Sequence, residues 1–361
     1  MRRIAVVKRG DLGDLLLTLP ALRALRDALP EATIDLLGSR VAREVLRDLN
    51  LVDQVLPLPS SHPHLLRGCI DGLRLAVSLV RRGYEAAILL EHLTTPAGAL
   101  RYAAALTATR ARRRIGLDNG RGWFLTDRVP DAGFGTRHEA DHWLSVVSRL
   151  GANPTPRRVG LADDPAADAR ADAIVGAAGD RYCALHPGGG GYSVARRWPL
   201  DRFVEVGRAL ARDGHGLIVV GNESDLNGAL AAATGAIDLT GQTPLRVLRR
   251  VLSRAALLIS SDSGIVHVGA TTDVPILAIY GLTDARAWGP YRPESWLQTR
   301  TRVVERPLPC RPCLYRGHAL GFRNGCATRD CLMGIGSARV IDLARELLAG
   351  SAADRRGALS G

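Results

Sequence analysis

Three loops in this 361-residue chain carry residue types able to activate a hydroxyl and hold an anion. The first, K-R-G-D-L-G-D-L-L-L-T-L-P at residues 8–20, follows an apolar strand pattern and holds two aspartates. A carboxylate at a helix start, such as Asp14, can accept a proton from an attacking hydroxyl. Asp14 as a plain helix cap is the alternative, and Asp11 competes as base or as a turn residue. The second loop, H-P-G-G-G-G-Y-S-V-A-R-R-W-P at residues 186–199, sets four consecutive glycines before Arg196 and Arg197. The four glycines, Gly188 and Gly189 foremost, can leave backbone N–H groups free beside a ligand, and arginine binds phosphate oxygens bidentately. The third, V-V-G-N-E at residues 219–223, puts Glu223 just past a strand, where it suits ribose hydroxyls or is simply solvated.

A fourth stretch, residues 260–280, reads as strand, sharp turn, short helix and strand. Ser261, Asp262 and Ser263 are helix N-cap types, and Gly264 lets the backbone pass close to a ligand. The helix should end near Ala270. Free N–H groups at its start suit a diphosphate; an ordinary capped helix is the competing reading.

These loops need a rigid frame. Hydrophobic residues make up 46% of the chain and aromatics only 4%, so the core must be Leu, Val, Ala and Ile. Strand and helix patterns alternate throughout, which argues for α/β architecture with parallel layers. In the first half, residues 4–7, 33–37, 52–56 and 86–90 read as strands. Residues 14–29, 41–49, 65–82, 96–107 and 137–150 read as helices, the first of them broken only by Pro20. Residues 151–165 hold three prolines and few apolar side chains, the best linker candidate. Beyond it, strands are expected at 182–186, 216–221, 236–239, 256–259 and 276–279. The division is a first Rossmann-like domain at 1–155, a second at 165–336 with a cysteine-rich segment at 306–336, a last helix at 337–350 and a flexible tail at 351–361. Two Rossmann-like halves imply ligands at the strand carboxyl ends, facing a cleft.

The net charge of +12 suits an anionic partner, although Lys8 is the only lysine. No basic block carries interleaved aromatics, so nucleic acid is not expected. No apolar run is long enough to span a membrane and no signal-peptide pattern heads the chain, so the expected location is cytoplasmic.

Taken together, the motifs resemble glycosyltransferase family 9, the ADP-heptose:lipopolysaccharide heptosyltransferases. The pieces are V-K-R-G-D-L-G-D-L-L-L-T-L-P-A-L near the N-terminus, R-I-G-L at 114–117, and R-H-E-A-D-H-W-L from Arg137. In the second half they are L-H-P-G-G followed by R-R-W-P, V-V-G-N-E, L-T-G-Q-T-P-L, and S-D-S-G-I-V-H followed by P-I-L-A-I-Y-G-L-T-D. The resemblance implies a two-domain B-type glycosyltransferase fold with the acceptor on the N-terminal domain and an ADP-sugar donor on the C-terminal one. It places Asp14 as catalytic base and Arg196 on the donor diphosphate, where the family often has lysine. Glu223 falls on the nucleoside, and Asp262, Ser263, Gly264 and His267 around the diphosphate and sugar, with Thr243 also on the donor side. Lys8, Arg114, Arg137 and His138 are acceptor-side candidates; a solvated basic face is their alternative. The acceptor implied is an anionic glycan or lipid-linked core at the inner membrane face, which gives a peripheral membrane contact. The run of four glycines and the arginine at position 196 depart from the usual pattern. No cofactor is required for catalysis on this reading, and the chain has no D-x-D motif.

Cys69 and Cys183 stand alone as core residues. Cys310, Cys313, Cys326 and Cys331 form C-x-x-C, twelve residues, then C-x-x-x-x-C. In a reducing compartment that spacing suits a structural zinc; free thiols or a disulfide are the alternatives. Rival functions are transfer to a small soluble acceptor such as a secondary metabolite, and non-catalytic sugar-nucleotide binding. A Rossmann oxidoreductase is disfavoured because no G-x-G-x-x-G follows a strand.

Overall fold

The structure, a computed structural model, describes residues 1–58, 65–179 and 181–359. It divides into two compact units. The first comprises Met1–Val159 with Arg316–Leu320; the second comprises Gly160–Tyr315 with Gly321–Gly361. The break after Val159 falls inside the proline-rich stretch. Assignment of Arg316–Leu320 to the first unit differs from the sequence division, which kept all of 306–336 in the second.

The first unit holds β1 (Arg3–Val7), β2 (Thr33–Gly38), β3 (Gln54–Pro57), β4 (Ala86–Leu89), β5 (Arg113–Asp118) and β6 (Asp127–Pro130). They form one parallel sheet in the order β3-β2-β1-β4-β5-β6. Runs such as A-A-I-L of β4 are buried along their whole length, because helices cover both faces of a parallel sheet. The second unit holds β7 (Tyr182–His186), β8 (Gly216–Val219), β9 (Ile237–Asp238), β10 (Leu257–Ser261), β11 (Ile276–Tyr280) and β12 (Thr301–Glu305), with a small ladder of β13 (Leu314–Arg316) and β14 (Ala319–Gly321). The β13–β14 ladder is a separate two-stranded sheet, and its residues Arg316–Leu320 are those counted with the first unit. The large sheet of the second unit runs β12-β11-β10-β7-β8-β9. Counted from each unit's own first strand, both sheets have the order 3-2-1-4-5-6 of a doubly wound fold. The connections of such a sheet reverse direction once, between β1 and β4 in the first unit and between β7 and β10 in the second. Loops diverge there at the strand carboxyl ends, and a ligand can enter.

Several departures from the sequence reading have simple causes. The helical run near residue 14 is two helices, Leu12–Leu16 and Leu19–Ala28; Pro20 sits in the first turn of the second, where its missing N–H costs nothing. β5, β6 and β12 escape a reading from local pattern because edge or near-edge strands mix arginine and carboxylate residues with apolar ones. The last helix runs Ser337–Leu359, past the end expected at 350.

Trp198 fixes the second core. It is 1% exposed and meets Phe203 edge-on with ring centroids 5.1 Å apart. Its indole N–H donates to the Ile335 carbonyl at 3.1 Å. The W-P turn therefore ties the loop bearing Arg196 to the segment before the last helix. Cys183 is buried in this core, while the Cys69 side chain lies outside the described residues.

Candidate active site

In the first unit the loop after β1 presents Asp14 half-buried on the short helix Leu12–Leu16. One Asp14 carboxylate oxygen accepts the Asp11 backbone N–H at 3.0 Å. Gly10, at φ +117°, makes room: a Cβ there would stand 2.6 Å from the same oxygen. Burial raises the Asp14 pKa, and the charge of Lys8 opposes that rise. A carboxylate that binds a proton more readily than usual is suited to general-base work. Asp11 is exposed, and its contribution is the N–H that aims Asp14.

Lys8 does not reach outward as an acceptor contact. It is 4% exposed; its ammonium lies 3.6 Å from Glu91 and 4.4 Å from the Trp143 ring centroid. Glu91 in turn accepts the Arg9 N–H at 2.6 Å. Burial raises the Glu91 pKa, opposed by Lys8. Arg114 is likewise occupied, donating to the carbonyls of Phe124 and Ala111. His138 caps helix Glu139–Val147 by accepting the Ala140 N–H at 3.2 Å. Arg137 is exposed.

A cluster that the sequence reading missed lies beside these groups. His92, just past β4, contacts Asp131 through Nδ1 at 3.0 Å and Glu139 through Nε2 at 3.1 Å. Burial alone would lower the His92 pKa, but the two carboxylates outweigh it and bring it to about 9. His142 stands edge-on to His92 at 4.9 Å, and burial, aided by the His92 charge, takes its pKa down to about 4. His92, Asp131 and His142 are the only described trio with ligand atoms within 4.8 Å of one another. An imidazolium with both nitrogens engaged has no lone pair for a metal, so His92 with Asp131 and Glu139 reads as a charge clamp. The signal was available: E-H follows a buried strand, the position already used to pick the other loops.

In the second unit the loops after β7 and β10 meet at the switch point. Arg196, with a side chain 15% exposed, lies 3.5 Å from Asp262 and donates to the Gly189 carbonyl at 2.7 Å. Burial lowers its pKa and the Asp262 charge raises it, with a net rise. Arg197 turns elsewhere, 3.8 Å from Glu223. The Nε atoms of both arginines are buried without a hydrogen-bond partner, donors that an anion could satisfy. Asp262 also accepts the Thr283 hydroxyl at 2.5 Å.

Glu223 packs into the glycine loop itself. Its carboxylate accepts the N–H groups of Gly190 and Asn222, each at 3.2 Å. A Cβ on Gly188 would come within 2.4 Å of it. The Gly190 N–H, expected to face a ligand, is thus already engaged. Burial raises the Glu223 pKa, but His186 and the backbone donors lower it further, so the carboxylate stays charged with lone pairs left for hydroxyl donors. Ser263 caps helix Gly264–Ala270 by accepting the Ile265 N–H at 3.3 Å, and His267 is buried on that helix. Thr243 is half-buried between β9 and helix Leu245–Arg254.

The four cysteines share one neighbourhood. Burial raises the Cys313 pKa and the other three thiols add to it, while the Arg329 N–H, 3.3 Å from the Cys326 sulfur, lowers that of Cys326. No three of the four sulfurs lie within 4.8 Å of one another.

Known proteins are similar to this chain in sequence and in fold. Residues 73–320 match the family model described as glycosyltransferase family 9 (heptosyltransferase). The chain is 24% identical over 304 residues to lipopolysaccharide heptosyltransferase 2 of Salmonella typhimurium, covering 77% of this chain and 82% of that one. Its fold is similar to that of ADP-heptose lps heptosyltransferase II of E. coli, with a TM-score of 0.72 at 18% identity over 98% of this chain and 100% of that one. It is also similar to the E. coli heptosyltransferase WaaC solved with ADP, with a TM-score of 0.65 at 20% identity over 88% and 95% of the two chains. Two six-stranded parallel sheets with these neighbours make the fold the B-type glycosyltransferase fold.

The His92 clamp gives stability a defined pH dependence. A folded pKa near 9 against an ordinary value of 6.5 means the clamp's contribution is complete below about 6.5 and is lost as pH rises through about 9. Thermal unfolding should show the melting temperature falling across that window, and His92→Gln should flatten the slope. An unchanged slope in the variant would place the titration elsewhere.

Proposed function

The chain belongs to glycosyltransferase family 9, and from that premise we propose that it transfers a heptose, or a closely related sugar, from an ADP-activated donor to a lipopolysaccharide core or related glycan acceptor. The observation that carries the mechanism is Asp14, aimed by the Asp11 N–H and given a raised pKa by burial, which the charge of Lys8 opposes. Asp14 takes the proton from an acceptor hydroxyl as that oxygen attacks the anomeric carbon. The bond from that carbon to the diphosphate breaks, its electron pair leaves on the diphosphate oxygen, and the centre inverts in one displacement. Arg196, steadied by Asp262 and the Gly189 carbonyl, meets the growing negative charge. Glu223 is assigned to the nucleoside. ADP as the donor nucleotide is supported by the heptosyltransferase solved with ADP. A thermal-shift screen of ADP, UDP, GDP and NAD tests the donor, since a bound ligand raises stability by mass action; preference for UDP overturns it.

We also propose that Cys310, Cys313, Cys326 and Cys331 hold a structural zinc. Their spacing, their shared neighbourhood and the N–H donated to the Cys326 sulfur support it; the sulfurs would have to draw together on loading. A strong chelator should then lower the melting temperature and leave turnover at lower temperature intact. Freshly purified, reduced protein without zinc by elemental analysis would end the idea.

Asp14→Asn should reduce transfer about 100- to 10,000-fold, the usual range for a lost general base, with ADP affinity nearly unchanged. Wild-type turnover in that variant would pass the role to Asp11 or another group.

Arg196→Ala should weaken donor binding and slow the chemical step more, by about 2 to 4 kcal/mol, as for one preorganised charge-stabilising donor. Arg196→Lys should recover much of the loss. Arg197→Ala should do less, because Arg197 faces Glu223 instead. Steady-state and single-turnover kinetics compare the three, and equal effects from the two alanine variants would mean that Arg196 is not the special cation.

A further inference from the structure

One face of the first unit is apolar where the fold leaves it open. Helix Leu65–Arg82 turns Leu73, Val77 and Val80 outward, with exposures of 68%, 41% and 41%. Spacings of four and three residues put them on one stripe of the helix. The packed neighbour, helix Pro96–Ala108, adds Leu100 at 64%. Isolated exposed leucines are ordinary, but four large apolar side chains on two adjacent helices are a patch that a water-facing surface does not favour.

Between the same helices lies a cavity of about 340 Å³. Its walls are mostly apolar, including Leu75, Leu79 and Ala105, and its charged lining groups are Arg9 and Arg101. Arg81 is exposed near the end of the first helix. Apolar side chains bordered by arginines form the pattern of an interfacial helix, with alkyl groups entering the acyl boundary and guanidinium groups meeting phosphates. The cavity also touches the base loop. Val7 and Arg9, which flank Lys8, line it, and Tyr102 in its wall is hydrogen-bonded to Glu91, the carboxylate beside Lys8. Among the described residues no helix is long and apolar enough to cross a membrane, so contact through this face would lie in the plane of the surface.

We propose that this face docks on an anionic lipid surface. Leu73, Val77, Val80 and Leu100 enter the acyl boundary, one acyl chain occupies the cavity, and Arg9, Arg81 and Arg101 meet headgroup phosphates. The contact holds the loop carrying Asp14 at the lipid surface, and it does not depend on which sugar or nucleotide is used.

Vesicle flotation of the full chain tests it with phosphatidylglycerol and with phosphatidylcholine vesicles. The chain should float with the anionic vesicles, and added salt should weaken the binding. Leu73→Glu with Val77→Glu should reduce binding about tenfold or more, and Arg81→Glu with Arg101→Glu should reduce it on anionic vesicles only. The thermal shift produced by ADP should be unchanged in both double variants, which separates docking from misfolding and from failure of the donor assignment. Three results overturn the proposal. One is absence of wild-type binding to phosphatidylglycerol vesicles unless a glycolipid acceptor is incorporated, which would assign the cavity to the acceptor. Another is wild-type binding by the Leu73→Glu, Val77→Glu variant. The third is light scattering that shows self-association abolished by that variant with no vesicle binding, which would make the face an interface between copies.

Discussion

A doubly wound parallel sheet reverses the direction of its connections at a single place, and each unit of this enzyme sets its charged loops there. In the first unit β1 and β4 are neighbours, so Lys8 and Glu91 meet although eighty-odd residues of chain separate them. In the second, β7 pairs with β10 and brings the glycine loop to Asp262. The strands that carry these loops are buried along their whole length, and that rigidity lets short loops hold charges in fixed relation. Chemistry is added at the strand ends and stability comes from the strands themselves.

The second constraint is electrostatic. Lys8 and Arg196 are cations withdrawn from water, and a buried charge without a partner is strongly unfavourable. Each has a carboxylate at 3.5 or 3.6 Å, close enough to offset burial but looser than a bidentate pair. The looseness has a use. Lys8 also acts on Asp14, and Arg196 keeps an unmatched Nε. A tightly locked ion pair would have left neither cation with influence on a third group. His92 is the contrast: held by carboxylates on both nitrogens, it clamps the first unit and takes no visible part in chemistry.

Glycine serves these sites in an unexpected way. The glycine loop suggests bare N–H groups awaiting a phosphate, yet the clearest steric requirement is for a carboxylate. At Gly188 a side chain would collide with Glu223, and at Gly10 with Asp14. The absent Cβ lets an acidic side chain lie against the backbone and take its N–H groups, Gly190 for Glu223 and Asp11 for Asp14. Both carboxylates are thereby oriented before any substrate arrives, which limits the reorganisation needed in the reaction.

Sequence alone determined the α/β class, the break in the proline-rich stretch, most buried strands and the loops that follow them. It did so because apolar runs five residues long, glycine clusters and N-cap residues are local signals with one dominant structural meaning. It also named Asp14, Arg196, Glu223 and Asp262, each adjacent to such a signal. Only the tertiary structure decided what those residues touch. It turned Arg196 and Arg197 to different carboxylates, moved Lys8 from the surface to the interior, committed Arg114 to carbonyls, and assembled His92, Asp131, Glu139 and His142 from three segments. Those choices depend on which strands become neighbours, and strand order is a property of long-range packing that no local window of residues contains.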